Sequence, residues 1–301
     1  MENTGVTYPF TPAHTGLTDL RTAIGDWSVS IEEGTTDYIP LEDTLPGLKR
    51  YYNGWQNGDL IIIGGRHGAG KTSLILDILK ATSIDHDIPS LCIVPQSKSS
   101  SILLRLIRKY SDQYGGNSPE ALQYIAENVN LSRCPLYIDD TPRLDITRLS
   151  AFIQEWMETY GIRIVAIDPF QSITESTYFT HNPVQGFNFV TRELKSIARE
   201  LDIPILVTSG LDNCPSKHRT SKLPTLDDLS LTGSAVYDAD LIIIMHRPQY
   251  TNGSETFEPT QCQFIIPKNR HGPTGEFAMA FNPRTLSFHE PESSFINTEY
   301  F

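Results

Sequence analysis

The stretch GGRHGAGKTS, Gly64 to Ser73, constrains the fold of this chain more than any other because of what flanks it. An apolar run, DLIIIGG (59–65), leads in, and apolar residues recur at helical spacing from Thr72 to Thr82. Gly65, Gly70, Lys71 and Thr72 satisfy G-x-x-x-x-G-K-[ST] between that strand and that helix. Glycines at these places let backbone N–H groups converge on phosphate oxygens, a lysine neutralises the outer phosphates, and the threonine hydroxyl is a Mg²⁺ ligand. Gly65, Arg66, His67, Gly68, Ala69, Gly70, Lys71, Thr72 and Ser73 are therefore the expected nucleotide cradle, with ATP and Mg²⁺ as its ligands. His67 is the one histidine near this chemistry, and a place on the loop surface is its plainer reading.

The same alternation continues along the chain. Short apolar runs at 90–96, 135–140, 162–168, 204–210 and 240–247 are separated by helical segments at 101–114, 119–129, 146–160 and 186–201. That is the pattern of an α/β fold with a mostly parallel central sheet flanked by helices. Two later stretches, QCQFIIPKNR (261–270) and GEFAMAFNPRTLSFHE (275–290), read as a C-terminal antiparallel extension joined by the turn HGPTG. Residues 1–45, rich in Thr, Gly and Pro with one short amphipathic stretch from Leu17 to Ile31, read as an arm; 46–290 as the body; 291–301 as a tail.

With 301 residues, 39 % of them hydrophobic, the chain can bury one full-sized core. A net charge of −12 repels polyanions, so any nucleic-acid contact has to be local. Four cysteines, Cys92, Cys134, Cys214 and Cys262, are too scattered for a metal site or a disulfide framework and suit a reducing compartment. No run reaches the roughly 18 apolar residues of a membrane helix, and MENTGVTYPF lacks a signal-peptide pattern. A cytoplasmic protein with no membrane partner is expected.

An acid must complete the metal shell, and IVAIDP ends an apolar strand on Asp168, which can hold Mg²⁺ through water. Asp139 and Asp140 in YIDDTP could form a carboxylate pair, but capping of the helix that opens near Ile146 is ordinary chemistry for Asp before Thr-Pro. Phe187 and Phe189 suit helix packing, while Tyr178 and Phe179 could instead stack on bases.

Six phrases resemble the C-terminal motor domain of the DnaB family of replicative DNA helicases, which has a RecA-like phosphate-loop NTPase fold. They are GWQNGDLIIIGGRHGAGKTS, CPLYIDDTP, IRIVAIDPFQ, RELKSIARELDIPILVTS, LTGSAVYDADLIIIMHRPQY and PKNRHGPTGEFAMAFNP, in family order over residues 36 to 290. The resemblance implies a hexameric ring with ATP between subunits and single-stranded DNA in the channel, and a linker helix that residues 17–31 could supply. The family's N-terminal helical domain finds no room here and is expected to be absent. By the same resemblance Arg270, with Lys268 beside it, acts in trans on a neighbour's nucleotide, stabilising charge in the transition state. From the residues alone, a solvated basic hairpin is the better reading of these side chains.

Three departures fall on one functional axis. The family's catalytic glutamate is replaced by Gln96, and an amide cannot accept a proton from water at neutral pH. Losing a general base commonly costs about 10²- to 10⁴-fold, unless Glu175 or another distant acid reaches in. Gly210 stands where the family has a glutamine that senses the γ-phosphate. Ser230 and Leu231 replace an Arg and a Glu in a loop facing DNA, leaving Thr232 and the Gly233 backbone N–H as weakened phosphate contacts. Two functions stay open: an ATP-dependent helicase motor acting in DNA replication and unwinding as a homo-oligomer, or a weakly hydrolysing ATP-binding regulatory or assembly protein that joins a mixed ring with another helicase. A small-molecule kinase would use the same loop, but no acceptor-binding lid is evident after it.

Overall fold

The structure, a computed structural model, describes residues 38–41, 45–114, 116–128, 133–174, 183–211, 223–229, 234–247 and 260–291. It opens on an antiparallel pair, β1 (Tyr38–Pro40) with β2 (Gly54–Gln56), which buries Ile39 and Trp55. The body thus begins at Tyr38, within the stretch whose composition pointed to an arm ending at residue 45. Ile39, Leu41 and Leu45 are all buried, but apolar side chains this sparse leave no periodicity to read. The linker helix expected over 17–31 lies outside the described residues.

The remaining elements in chain order are β3 (Leu60–Gly65), α1 (Lys71–Leu79, prolonged by a wider turn over Lys80–Asp85), β4 (Ser90–Ile93), α2 (Ser99–Arg108), α3 (Pro119–Asn128), β5 (Leu136–Asp139), β6 (Leu144–Asp145), α4 (Ile146–Tyr160) and β7 (Ile164–Ile167). They continue with β8 (Ile173–Thr174), α5 (Pro183–Leu201), β9 (Ile205–Gly210), α6 (Ser234–Asp238), β10 (Leu241–His246), β11 (Thr260–Asn269), β12 (Gly275–Asn282) and β13 (Ser287–His289). Nine strands form one sheet in the order β13-β12-β11-β10-β3-β9-β7-β4-β5. From β10 to β5 neighbours run parallel, and β10 to β13 pair antiparallel. The antiparallel extension contains one more break than expected. Its last stretch turns at Pro283–Leu286, with Leu286 at φ +57°, and yields β12 and β13.

Strand alternation explains how the sheet is covered. Ile61, Ile63, Ile164, Ala166, Ile243 and Met245 join one apolar layer with Leu74, Ile75 and Ile78 of α1 and Ile102 and Leu106 of α2. Leu60, Ile62, Val165, Ile167, Ile242 and Ile244 join the opposite layer with Leu149 and Ile153 of α4 and Val190, Leu194 and Ile197 of α5. Each fully buried aliphatic side chain contributes about 1.5–3 kcal/mol. Strands buried on both faces carry few polar residues, which is why these runs read as nearly continuous apolar stretches. Among the described residues no helix is long and apolar enough to cross a membrane, and Cys92 and Cys262 are buried free thiols.

Candidate active site

Parallel strands end together, so the loops after β3, β4, β7 and β9 meet at one end of the sheet, where ligands of open α/β sheets bind. A cleft of about 350 Å³ opens there, lined by His67, Gly68, Gly70, Lys71, Thr72 and Ser73 from the loop and the start of α1. Gln96 and Ser97 after β4, Arg105 on α2, and Asp168 and Pro169 after β7 complete it. The loop turns sharply into α1 at Gly70, whose φ is +99°. A Cβ there would also stand 2.8 Å from Phe288 Cζ, so β13 packs directly beneath the loop. Arg247, after β10, donates from one guanidinium nitrogen to the Gly68 carbonyl at 2.9 Å and from the other to Thr260 Oγ1 at 3.0 Å, and lies 4.2 Å over the Phe281 ring.

Lys71 Nζ donates to the carbonyls of Gly65 (2.7 Å) and Arg66 (3.1 Å), so these loop residues hold the ammonium through their backbone. Burial lowers the Lys71 pKa, with the Asp168 carboxylate opposing the shift. A triphosphate brought against this amine would favour its charged form further. Asp168 accepts at one oxygen from Thr72 Oγ1 at 2.6 Å and at the other from the Thr208 hydroxyl on β9. Thr72 and Asp168 thus present a hydroxyl and a carboxylate side by side. Such hard oxygen donors fit Mg²⁺, which keeps several waters and takes its other ligands from phosphates.

Gln96 lines the same cleft. Asp168 is the sole carboxylate among the described lining residues; it accepts from two threonine hydroxyls and stands where Mg²⁺ would be held. Those residues include no second carboxylate to take a proton from water. Glu175 lies outside the described residues. Gly210 ends β9 beside Gly65, and the neighbouring Ser209 Oγ accepts from Gln171 Nε2 at 3.2 Å.

Arg270 and Lys268 fall at the other end of the sheet. In β11 the register pairs Asn269 with Leu241, and Leu241 pairs with Ile61 at the start of β3, a full strand from the phosphate loop. Arg270 Nη1 bonds Asp240 Oδ1 at 3.0 Å and its Nη2 donates to the Tyr237 carbonyl. Lys268 Nζ donates to the carbonyls of Val236 and Tyr237, and burial lowers its pKa. Thr232 and Gly233, with Ser230, Leu231, Tyr178 and Phe179, lie outside the described residues.

Some roles differ from the sequence expectations. Asp145, not the Asp139–Asp140 pair, caps α4, accepting from the Thr147 amide at 3.0 Å. Asp140 accepts from the Ser99 amide at the start of α2 (2.8 Å), a tertiary contact, while Asp139 accepts from its near neighbour Thr141. Phe187 and Phe189 pack against the α5 side of the core, Phe187 5.7 Å from Phe170. Arg105, Ser97 and Thr208 were not singled out from sequence. An arginine one turn after Ile102 on the helix that follows Gln96 was the available signal for Arg105.

The sequence profile described as "DnaB-like helicase C terminal domain" matches residues 41–290. The chain belongs to the DnaB-like helicase family. It is 33 % identical over 245 residues to a probable replicative DNA helicase of Trieres chinensis, covering 78 % of this chain and 54 % of that protein. It is 30 % identical over 280 residues to the replicative DNA helicase DnaC of Bacillus subtilis (strain 168), covering 90 % and 61 %. The chain therefore spans little more than half the length of these curated relatives. Among solved structures, the ATPase domain of G40P superposes with a TM-score of 0.77 at 23 % identity, over 92 % of this chain and 100 % of that one. A DnaB-like replicative helicase, described with its interactions with primase, superposes with a TM-score of 0.76 at 23 % identity, over 92 % and 68 %. The fold is that of a DnaB-like, RecA-like ATPase domain, a class that implies nucleotide binding with a divalent metal.

Proposed function

We propose that this DnaB-like chain is an ATP-binding motor module of the replicative-helicase type, acting in DNA replication and unwinding, whose own hydrolysis is slow. The observation that carries this reading is the convergence of Lys71, Thr72 and Asp168 with Gln96 in one cleft. Lys71 and the loop amides would bind the β- and γ-phosphates, and Thr72 and Asp168 would hold Mg²⁺, which supplies charge neutralisation across those phosphates. Gln96 can orient a water through its amide but cannot deprotonate it.

Assembly completes the site in this reading. Arg270 and Lys268 sit a strand's length from their own phosphate loop. They serve a nucleotide only if a neighbouring copy, in a homo-oligomeric hexameric ring or in a mixed ring with another helicase, offers its cleft. Thr232 and Gly233 would give a weakened contact to single-stranded DNA. Relatives named as replicative DNA helicases favour a cytoplasmic protein of that process. Gln96 also favours a second reading, in which ATP acts chiefly as interface glue in a regulatory or assembly protein.

Native mass with Mg–ATP, alongside ATP turnover with and without single-stranded DNA, tests both. Expected are ATP-dependent higher-order species and slow turnover that Lys71→Ala abolishes. Stimulation by single-stranded DNA selects the motor; assembly without stimulation selects the regulatory protein. A chain that stays monomeric with saturating Mg–ATP contradicts both.

A further inference from the structure

Outside the cleft, a buried charge cluster lies at the opposite end of the sheet, around Asp240 and Asp59 just before β10 and β3. Both acids are buried, at 3 % and 4 % exposure, and so require partners. Asp240 Oδ2 accepts from Lys195 Nζ on α5 at 2.5 Å and from the Leu60 amide at 2.8 Å, while Oδ1 pairs with Arg270 at 3.0 Å. The Arg270 amide also donates to the Asp240 carbonyl at 2.9 Å. Asp59 accepts from Tyr52 Oη at 2.8 Å and lies 2.7 Å from His271 Nε2.

Asp59, Asp240 and His271 place their ligand atoms within 4.8 Å of one another, a spacing a divalent cation could use. The protein's own cations already fill that role. Lys195 and Arg270 balance the two acids, and a metal would have to displace one of them, leaving it without its counter-ion.

The hairpin carrying Arg270 is pinned on both sides. Asn269 Nδ2 donates to the Tyr51 carbonyl at 2.7 Å and to the Pro273 carbonyl at 3.1 Å. On the other side, Asp240 and the Tyr237 carbonyl take the two terminal nitrogens of the guanidinium. A guanidinium has five N–H donors, and its side chain here is 46 % exposed, so donors remain for an outside anion. An arginine held in one place loses less rotamer entropy when it meets a phosphate than one that swings in solvent.

We propose that Asp240 is a positioning residue: anchored by Lys195 and the Leu60 amide, it holds Arg270 in place for the γ-phosphate of a nucleotide bound by a neighbouring copy. This rests on the trans reading of Arg270. A counter-ion fixed at the base of the strand that carries the phosphate loop also sets where each copy presents its arginine relative to its own cleft. Every interface of a closed assembly would then be built alike.

The test is equilibrium binding of Mg–ATP and Mg–ADP to the full chain, at concentrations where native mass shows assembly. The ATP-to-ADP affinity ratio reads the γ-phosphate contact, whereas a variant that only loosens the fold lowers both affinities alike. Arg270→Ala should lower the ratio by about 10- to 100-fold, the worth of a charge-assisted hydrogen bond. Asp240→Asn should lower it by at least about threefold, and the double variant should fall no further than Arg270→Ala, since both act through one contact. Asp240→Glu keeps the charge but shifts the guanidinium, and should also lower the ratio if Asp240→Asn fails to fold.

A ratio unchanged in Asp240→Asn, or in Asp240→Glu where that is the folded variant, while Arg270→Ala loses it would overturn the positioning role and leave the trans reading intact. A raised ratio would make Asp240 a latch on Arg270 and overturn the role as well. An assembled Arg270→Ala protein with an unaltered ratio removes the trans reading itself.

Discussion

Gln96→Glu raises ATP turnover by about 10²-fold or more over the parent, measured as single-turnover cleavage at saturating Mg–ATP. The basis is local: Gln96 lines the cleft with Lys71 and Asp168, and the one carboxylate among the described lining residues is bonded to Thr72 and Thr208 and assigned to Mg²⁺. Glutamate has the same length and adds a group able to take the proton from the attacking water. A positioned general base contributes about 10²- to 10⁴-fold. ATP affinity should change little, because residue 96 adds nothing to the phosphate cradle. A parent that already turns over as fast as its Gln96→Glu variant would mean that another acid reaches the water.

Asp77→Ala costs about 3–5 kcal/mol of stability, the usual penalty for leaving a buried charge without its partner. Asp77 on α1 and Lys109 beyond α2 are both buried and bonded at 2.7 Å. The Lys109 ammonium also donates to the carbonyls of Ser73 (3.2 Å) and Leu286 (2.7 Å), and the other Asp77 oxygen accepts from the Phe288 amide at 3.0 Å. Burial alone pushes the Asp77 carboxyl up and the Lys109 amine down, but these contacts satisfy both charged forms. The pair ties the phosphate-loop helix to β13, whose Phe288 lies under Gly70. Urea unfolding checks the value. Asp77→Leu combined with Lys109→Met should recover most of the loss, because two apolar groups strand no charge. A single Asp77→Ala variant within about 1 kcal/mol of the parent would contradict this account.

Much of this was readable because the residues that carry it are close in sequence. The loop and Lys71 lie between a strand and a helix, and Asp168 closes an apolar run, so local pattern and chemistry coincide. Strands buried on both faces announce themselves as continuous apolar stretches, which made the parallel sheet visible before its order was known. What depends on tertiary contact was hidden. Asp140 looks like a local cap but serves the Ser99 amide across 41 residues. Asp240, Lys195 and Arg270 meet over separations of 45 and 30 residues, and no spacing rule connects them. Arg105 enters the cleft only through the way α2 packs Ile102 and Leu106 into the core. The start of the body at Tyr38 was missed because Ile39, Leu41 and Leu45 are buried by neighbours that a local reading cannot see.

Calorimetric titration of Mg–ATP into the folded chain and its Lys71→Ala variant bears most directly on the central claim, that the cleft after β3 is a nucleotide site. The expected result is saturable uptake of one ATP per chain, dependent on Mg²⁺ and weakened by about 10-fold or more on loss of the Lys71 ammonium. No heat of binding by folded protein, or equal binding by the Lys71→Ala variant, would contradict it.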